Sequence, residues 1–235
     1  MSNLSQTAVE GGLDVALIQE PWQYEGRVKG VPAKCGKLLY DSSCQKVRAC
    51  IFISKKSNIN YLMLSQFCST DLAAAILISP TDEPNKDVVV AAAYMPYDST
   101  SSPPANEIKK LVDYWHSNGL RLIIGADANA HNLVWGSSDT NIRGKLLLEY
   151  IISSDLYIAN KGNEPTFVTS NRSEVIDITI ANGISISAVS EWKVSSKVSM
   201  SDHKWIRFNV DLDKKKMKKG FEMPAELTGK ASRPN

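Results

Sequence analysis

Leu120-Arg121-Leu122-Ile123-Ile124-Gly125-Ala126-Asp127-Ala128-Asn129 is an apolar run that stops on a carboxylate and a carboxamide. Two earlier runs stop in a similar way. Leu13 to Ile18 leads into Gln19-Glu20-Pro21, and Asp87 to Ala93 leads into Tyr94-Met95-Pro96. Near the other end, Ser201-Asp202-His203 stands directly before the run Lys204 to Val210. Short apolar runs bounded by Gly, Pro and polar residues read as buried strands. Strands packed in sheets bring such polar ends to a common rim.

Working outward, Arg48 to Ser54 reads as a further strand. Asp71 to Ser79 and Asp87 to Tyr94 flank the polar segment 80–86 as a hairpin, apolar enough to be covered on both faces. The period then changes. Ile108, Leu111, Val112 and Trp115 recur at helical spacing, with Ser102-Pro103 as the expected start and Gly119 as the stop. A second helix is expected over Lys145 to Ile152. Strand-like runs follow at Leu156 to Ala159, Thr166 to Thr169, Val175 to Ala181, Ala188 to Val194 and Trp205 to Leu212. Many short strands with few helices predict an α/β or α+β sandwich of two sheets with helices outside. One domain over 1–212 is expected, followed by a basic tail over 213–235 whose composition suits disorder.

The 235 residues suffice for a large buried core, and 43% hydrophobic with 22% charged content is ordinary for a globular chain. The formal charge of +2 is unevenly placed: residues 211–235 hold seven basic and four acidic groups, leaving 20 basic against 21 acidic in the body. A polyanion would therefore be held by local patches and a metal, not by an overall attractive field. Cys35, Cys44, Cys50 and Cys68 show no zinc or disulfide spacing, which favours reduced thiols in an intracellular protein. No segment has the apolar length of a membrane span.

The strand ends carry the chemistry. Mg²⁺ prefers oxygen ligands and is commonly held by one or two carboxylates plus water and a substrate phosphate. Glu20, Asp127 and Asp202, taken with Asn129 and His203, suggest a metal-dependent phosphodiesterase, although any one of them alone fits a solvated turn. Asp177 lies in Val175-Ile176-Asp177-Ile178-Thr179-Ile180, where alternation sets it opposite three isoleucines. A buried carboxylate there needs a partner, and His203 is the expected one. A solvent-facing Asp on a half-exposed strand fits the strand pattern equally well.

These residues, in order and approximate spacing, resemble the endonuclease/exonuclease/phosphatase superfamily. The segment Gly125-Ala-Asp-Ala-Asn-Ala-His-Asn-Leu-Val-Trp-Gly-Ser137, with Arg143-Gly144 after it, looks more narrowly like the apurinic-type endonuclease domain of insect non-LTR retrotransposons. Leu13 to Trp22 and Pro165-Thr166-Phe167 point the same way. The resemblance spans residues 13 to about 212. It implies a four-layered DNase I-like sandwich of two mixed sheets flanked by helices, and a Mg²⁺-dependent cut of DNA (Mn²⁺ being an alternative ion) that leaves a 3′-hydroxyl to prime reverse transcription. It further implies that Glu20 ligates the ion with Asp202 near it, that Asp127 orients or deprotonates the attacking water, and that Asn129 holds a phosphate oxygen. Tyr94 would contact the scissile phosphate, and His203 backed by Asp177 would complete the proton-transfer apparatus. Members of the family begin with a strand bearing a metal-binding Asn. Only twelve residues precede Leu13, so that first strand is expected to be missing, with Asn3 as its candidate remnant.

Other residues carry two readings. His131 and Trp135 would touch DNA or would order their loop, and Thr166 and Arg143 would contact phosphates or would act as capping and surface groups. Lys214 to Lys219 reads as a nucleic-acid or nuclear-address cluster, or as a solvated tail. The expected partners are DNA and a reverse transcriptase domain in a longer parent, with a nuclear location and no membrane. The competing readings are a phosphatase of the same superfamily and a truncated, catalytically impaired fragment.

Overall fold

Ala73-Ala74-Ala75 lies beside Ala91-Ala92-Ala93 in antiparallel register, and all six residues are fully buried. Side chains this small let material pack closely on both faces of the sheet they occupy. The computed structural model describes residues 4, 6, 10, 12–79 and 86–211. The tail from 213 and Asn3 lie outside the described residues.

The N-terminal half contains β1 (Val15–Gln19), β2 (Gln23–Tyr24), β3 (Arg27–Val28), β4 (Gly36–Leu39) and β5 (Ala49–Ser54). It continues with β6 (Asn60–Met63), β7 (Leu72–Ile78) and β8 (Val88–Tyr94). Helix α1 (Asn106–Asn118) leads to β9 (Arg121–Asp127), and helix α2 (Ile142–Ser153) leads to β10 (Leu156–Ile158). The last third holds β11 (Phe167–Val168), β12 (Ser173–Glu174), β13 (Asp177–Asn182), the short helix α3 (Gly183–Ala188), β14 (Val189–Val194) and β15 (Ile206–Val210).

Six strands form one sheet in the order β10-β13-β9-β8-β7-β6, and three form another in the order β1-β5-β4. Only the larger is mixed: β8 and β9 run parallel, while its other pairs and all pairs of the smaller sheet are antiparallel. A parallel pair needs a crossover, and α1 supplies it.

The layers follow from the side-chain pattern. Ile51 and Ile53 of β5 face Ala73, Ala75, Val90 and Ala92 of the larger sheet, and Phe208 and Val210 of β15 join this inner core. On the other face of the larger sheet, Val89, Ala91, Leu122 and Ile124 pack against Ile108, Leu111 and Trp115 of α1 and Leu147 and Ile151 of α2. Helical Leu4 packs with Phe52 on the outside of the smaller sheet. Two packed sheets with α1 and α2 on one outer face are therefore present, and Leu4 covers part of the other outer face. Among the described residues no strand precedes Val15.

Helix α1 buries the four residues expected of it and ends at Gly119, whose φ of 62 suits glycine. It does not start at Ser102-Pro103. It begins at Asn106 with no side-chain cap, because Pro104 disfavours helical geometry at Pro103. Helix α2 starts earlier than Lys145 because Asn141 caps it, accepting the Gly144 N–H at 2.8 Å. Helix α3 and the short strands β2, β3, β4 and β6 carry no clear period in the sequence.

Candidate active site

The parallel pairing of β8 and β9 sets Tyr94 and Asp127 opposite each other at one sheet edge. Antiparallel β13 begins at that edge, so Asp177 lies opposite Asp127 on its other side. Three strand ends thus meet at one rim. The smaller sheet contributes the fourth group through β1. The Gln19 side-chain N–H donates to the Gly125 carbonyl at 2.8 Å, tying the two sheets together next to Glu20. Glu20 takes a left-handed φ of 46, and its N–H donates to the Arg48 carbonyl at 2.8 Å.

His203 Nδ1 lies 3.0 Å from both carboxylate oxygens of Asp177, and its Nε2 lies 3.9 Å from Asp127 Oδ2. The ring packs edge-on to Phe167 at 4.9 Å, and the two backbones form a β-bridge. Asp177 is buried, so the pairing with His203, not the solvent-facing alternative, describes it. Thr166 supports it from behind. The Thr166 hydroxyl accepts the Ile176 and Asp177 N–H groups at 3.1 Å, and Thr166 has no exposed surface. The expected phosphate contact by Thr166 is thereby replaced by a backbone-bracing role. Asn160, unnoticed in the sequence, donates to the Asp177 carbonyl at 3.0 Å and accepts the Thr179 N–H at 2.8 Å.

The electrostatics are unusual for these residue types. Burial and the neighbouring Asp177 push Asp127 up to about 7, although His203 and the Asn129 N–H pull the other way and Glu20 adds to the rise. Burial disfavours the His203 imidazolium, but the Asp177 hydrogen bond and charge, with Asp127 and Glu20, outweigh it and raise the ring to about 9. Tyr94 is raised to about 12 by burial and by the Glu20 and Asp127 charges. Glu20 thus acts on all three groups. Its carboxylate makes no hydrogen bond or ion pair among the described residues. Three carboxylates converge on one imidazolium, and that negative excess, built from hard oxygen atoms, fits a divalent cation. Asp127, Asp177 and His203 offer ligand atoms within 4.8 Å of one another.

Asn129 holds a left-handed φ of 44 while its N–H donates to Asp127 Oδ1 at 3.1 Å. Its half-buried side chain makes no hydrogen bond among the described residues. Arg143 reaches the same loop, donating from Nε to the Asn129 carbonyl at 3.3 Å. His131 is held on both sides. Its Nδ1 meets Asp139 at 2.5 Å and its Nε2 accepts from Arg172 at 2.6 Å, with Glu174 3.7 Å away. Trp135 is 1% exposed, so it orders the loop from within and cannot stack on a base.

Gly144 explains why glycine follows Arg143. A Cβ there would lie 1.7 Å from the His131 carbonyl oxygen, so α2 can sit under the loop only with glycine at this position. Gly144→Ala is expected to cost about 1–3 kcal/mol, read as a lowered urea midpoint with unchanged slope.

Asp202 is exposed. Its carbonyl accepts the Val168 N–H at 2.8 Å, but its carboxylate joins none of the contacts among Glu20, Asp127, Asp177 and His203. Arg48 has a role that its place in the sequence does not announce. Its guanidinium grips Asp71 at 2.5 and 2.7 Å and lies 4.8 Å over the Tyr94 ring. An arginine just before an apolar strand gives no warning of either contact.

The model of the family described as endonuclease-reverse transcriptase matches residues 88–207. A retrovirus-related Pol polyprotein from the type-1 retrotransposable element R1 of Bradysia coprophila is 35% identical over 101 residues, which is 39% of this chain and 10% of that protein. The endonuclease domain of TRAS1, a telomere-specific non-LTR retrotransposon, superposes with a TM-score of 0.73 at 22% identity, covering 90% of this chain and 92% of that one. AP endonuclease LMAP from Leishmania major gives 0.61 at 10% identity, over 89% and 82% of the two chains. The 3′-5′ exonuclease NExo of Neisseria meningitidis gives 0.58 at 12%, over 89% and 93%. These likenesses establish the DNase I-like sandwich. Because its model fits more than half of the sequence, across every strand of the site but β1, the chain belongs to the endonuclease-reverse transcriptase family.

Proposed function

We propose that the protein is a divalent-metal-dependent endonuclease that hydrolyses a DNA phosphodiester and leaves a 3′-hydroxyl. The observation that carries this reading is a buried carboxylate, Asp127, 3.9 Å from the His203 imidazole, whose other nitrogen lies 3.0 Å from Asp177. A carboxylate raised to about 7 is a competent proton acceptor near neutrality, and an imidazolium beside it favours phosphoryl oxygen charge. Mg²⁺ at Glu20, with Asp202 near it and Mn²⁺ as a substitute, would neutralise phosphate charge and favour departure of the leaving oxygen.

Asp127 takes a proton from the attacking water as its oxygen bonds to phosphorus. The P–O3′ bond breaks, and the departing O3′ takes a proton from solvent water to become the hydroxyl, the proton held on Asp127 returning to solvent. Asn129 holds a non-bridging oxygen, Tyr94 contacts the scissile phosphate, and Arg143 braces the Asn129 loop. DNA places the work in the nucleus. The match to a Pol polyprotein supports a reverse transcriptase in a longer parent chain as the user of the new hydroxyl.

Supercoiled plasmid with Mg²⁺ should become open circles whose nicks a DNA polymerase extends, and EDTA should stop it. Release of phosphate from inositol phosphates without nicking would favour a phosphatase, and neither activity would favour an impaired fragment. The pH profile is a second check. Nicking should rise as Asp127 loses its proton, at or below about 7 because a bound cation lowers its affinity for protons, and fall as His203 deprotonates near about 9. A profile still climbing above that upper limit would remove His203 from the mechanism.

A further inference from the structure

The charge of the body is far from uniform. Residues 21–59 carry eight Lys/Arg against two Asp/Glu, although the body as a whole is slightly acidic. Part of this excess surrounds a cavity of about 290 Å³ lined by β4, the end of β5 and the edge strand β6. Lys37 and Lys55 stand at its mouth, both exposed and neither engaged with an acid among the described residues. No described carboxylate lines it.

The walls are built. Lys37 is the register partner of Ile53, and the Lys55 N–H donates to the Cys35 carbonyl at 3.0 Å, so the backbones of both lysines are held, one on β4 and one just past the end of β5. The turn after β5 is closed by Ser57, whose hydroxyl donates to the Ser54 carbonyl at 2.7 Å, and passes through Asn58 at a left-handed φ of 53. Gly36 lets β4 lie close against β5: a Cβ there would lie 2.1 Å from the Ile53 carbonyl oxygen. Tyr61 of β6 supplies a half-exposed aromatic ring to the lining.

This cavity is not the cleft described above. Strand β5 starts at Ala49, next to Arg48 and the Glu20 N–H, and ends at Ser54 in the cavity wall. At about 3.3 Å per residue the two ends are roughly 17 Å apart.

We propose that this cavity is a second nucleic-acid site, which takes one unstacked base against Tyr61 and the flanking phosphates of a single strand on Lys37 and Lys55. Lysines supply point charges for backbone phosphates, and an aromatic face accepts any base. The volume of about 290 Å³ is enough for one base. The site is independent of cleavage, so it is tested without a metal.

Fluorescence anisotropy of labelled oligothymidine and oligouridine, in EDTA, compares the whole chain with Lys37→Glu/Lys55→Glu. A charge-matched control, Lys110→Glu/Lys145→Glu, alters exposed lysines of α1 and α2. Binding should weaken about tenfold in the first variant alone, with the salt slope falling by about 1.4, the loss of two single-strand phosphate contacts. Tyr61→Leu, which keeps the apolar packing of β6, should weaken binding and leave the salt slope unchanged. Equal loss in the control would reduce the effect to bulk charge and overturn the site. Equal binding of a duplex, or full competition by inorganic phosphate with no effect of Tyr61→Leu, would overturn the single-strand assignment. Nicking by Lys37→Glu/Lys55→Glu under Mg²⁺ should be unchanged, which separates this site from the cutting reaction.

Discussion

Asp177→Asn is expected to lower plasmid nicking by about 10²–10⁴-fold, the range spanned by a lost acid–base partner, while the chain stays folded. Two effects act together. The carboxylate that raises His203 disappears, so the alkaline limb of the pH profile moves down from about 9 towards the ordinary histidine value of 6.5. The repulsion that helps hold Asp127 near 7 disappears as well, so the acidic limb also moves down. A structural role alone would lower the rate without shifting both limbs in one direction. Full activity with both limbs unmoved would remove the Asp177–His203 pair from the reaction.

Glu20→Gln is the second large effect. The amide keeps the shape and the strand-end backbone but removes the charge felt by Tyr94, Asp127 and His203. The Mg²⁺ concentration for half-maximal nicking should rise about 10–100-fold, since even an outer partner of a metal ligand is worth that much. Fluorescence of Trp22, exposed and two residues from Glu20, gives a readout that needs no turnover. Its response to Mg²⁺ should shift by the same factor. An unchanged titration by both measures would mean that the ion sits elsewhere, with the Asp127, Asp177 and His203 ligand atoms the next place to look.

Much of the site is legible in the sequence because its groups sit at the ends of strongly apolar strands. Asp127 follows a strand buried on both faces, and a carboxylate there has few explanations besides chemistry or a partner. The His203–Asp177 pair was readable as one of two options, and burial decides between them. The less legible parts are those fixed by tertiary contact. Thr166 looks like a phosphate ligand, yet it is fully buried, and its hydroxyl oxygen accepts two backbone N–H groups that only the folded chain brings to it. Trp135 looks like a stacking residue, and its burial depends on how the loop folds over α2. Asn160 and Arg48 act through partners 17 to 46 positions away, which periodicity cannot reveal. Helix α3 is only six residues long, too short to display a face.

The tie made by Arg48 has a further meaning. Its carbonyl holds Glu20 on one sheet, while its side chain grips Asp71 and covers Tyr94 on the other. The chemistry therefore straddles a seam and belongs to neither half of the sandwich. A chain with only one half assembled therefore lacks the complete set of these groups, so the site and the seam can only form together.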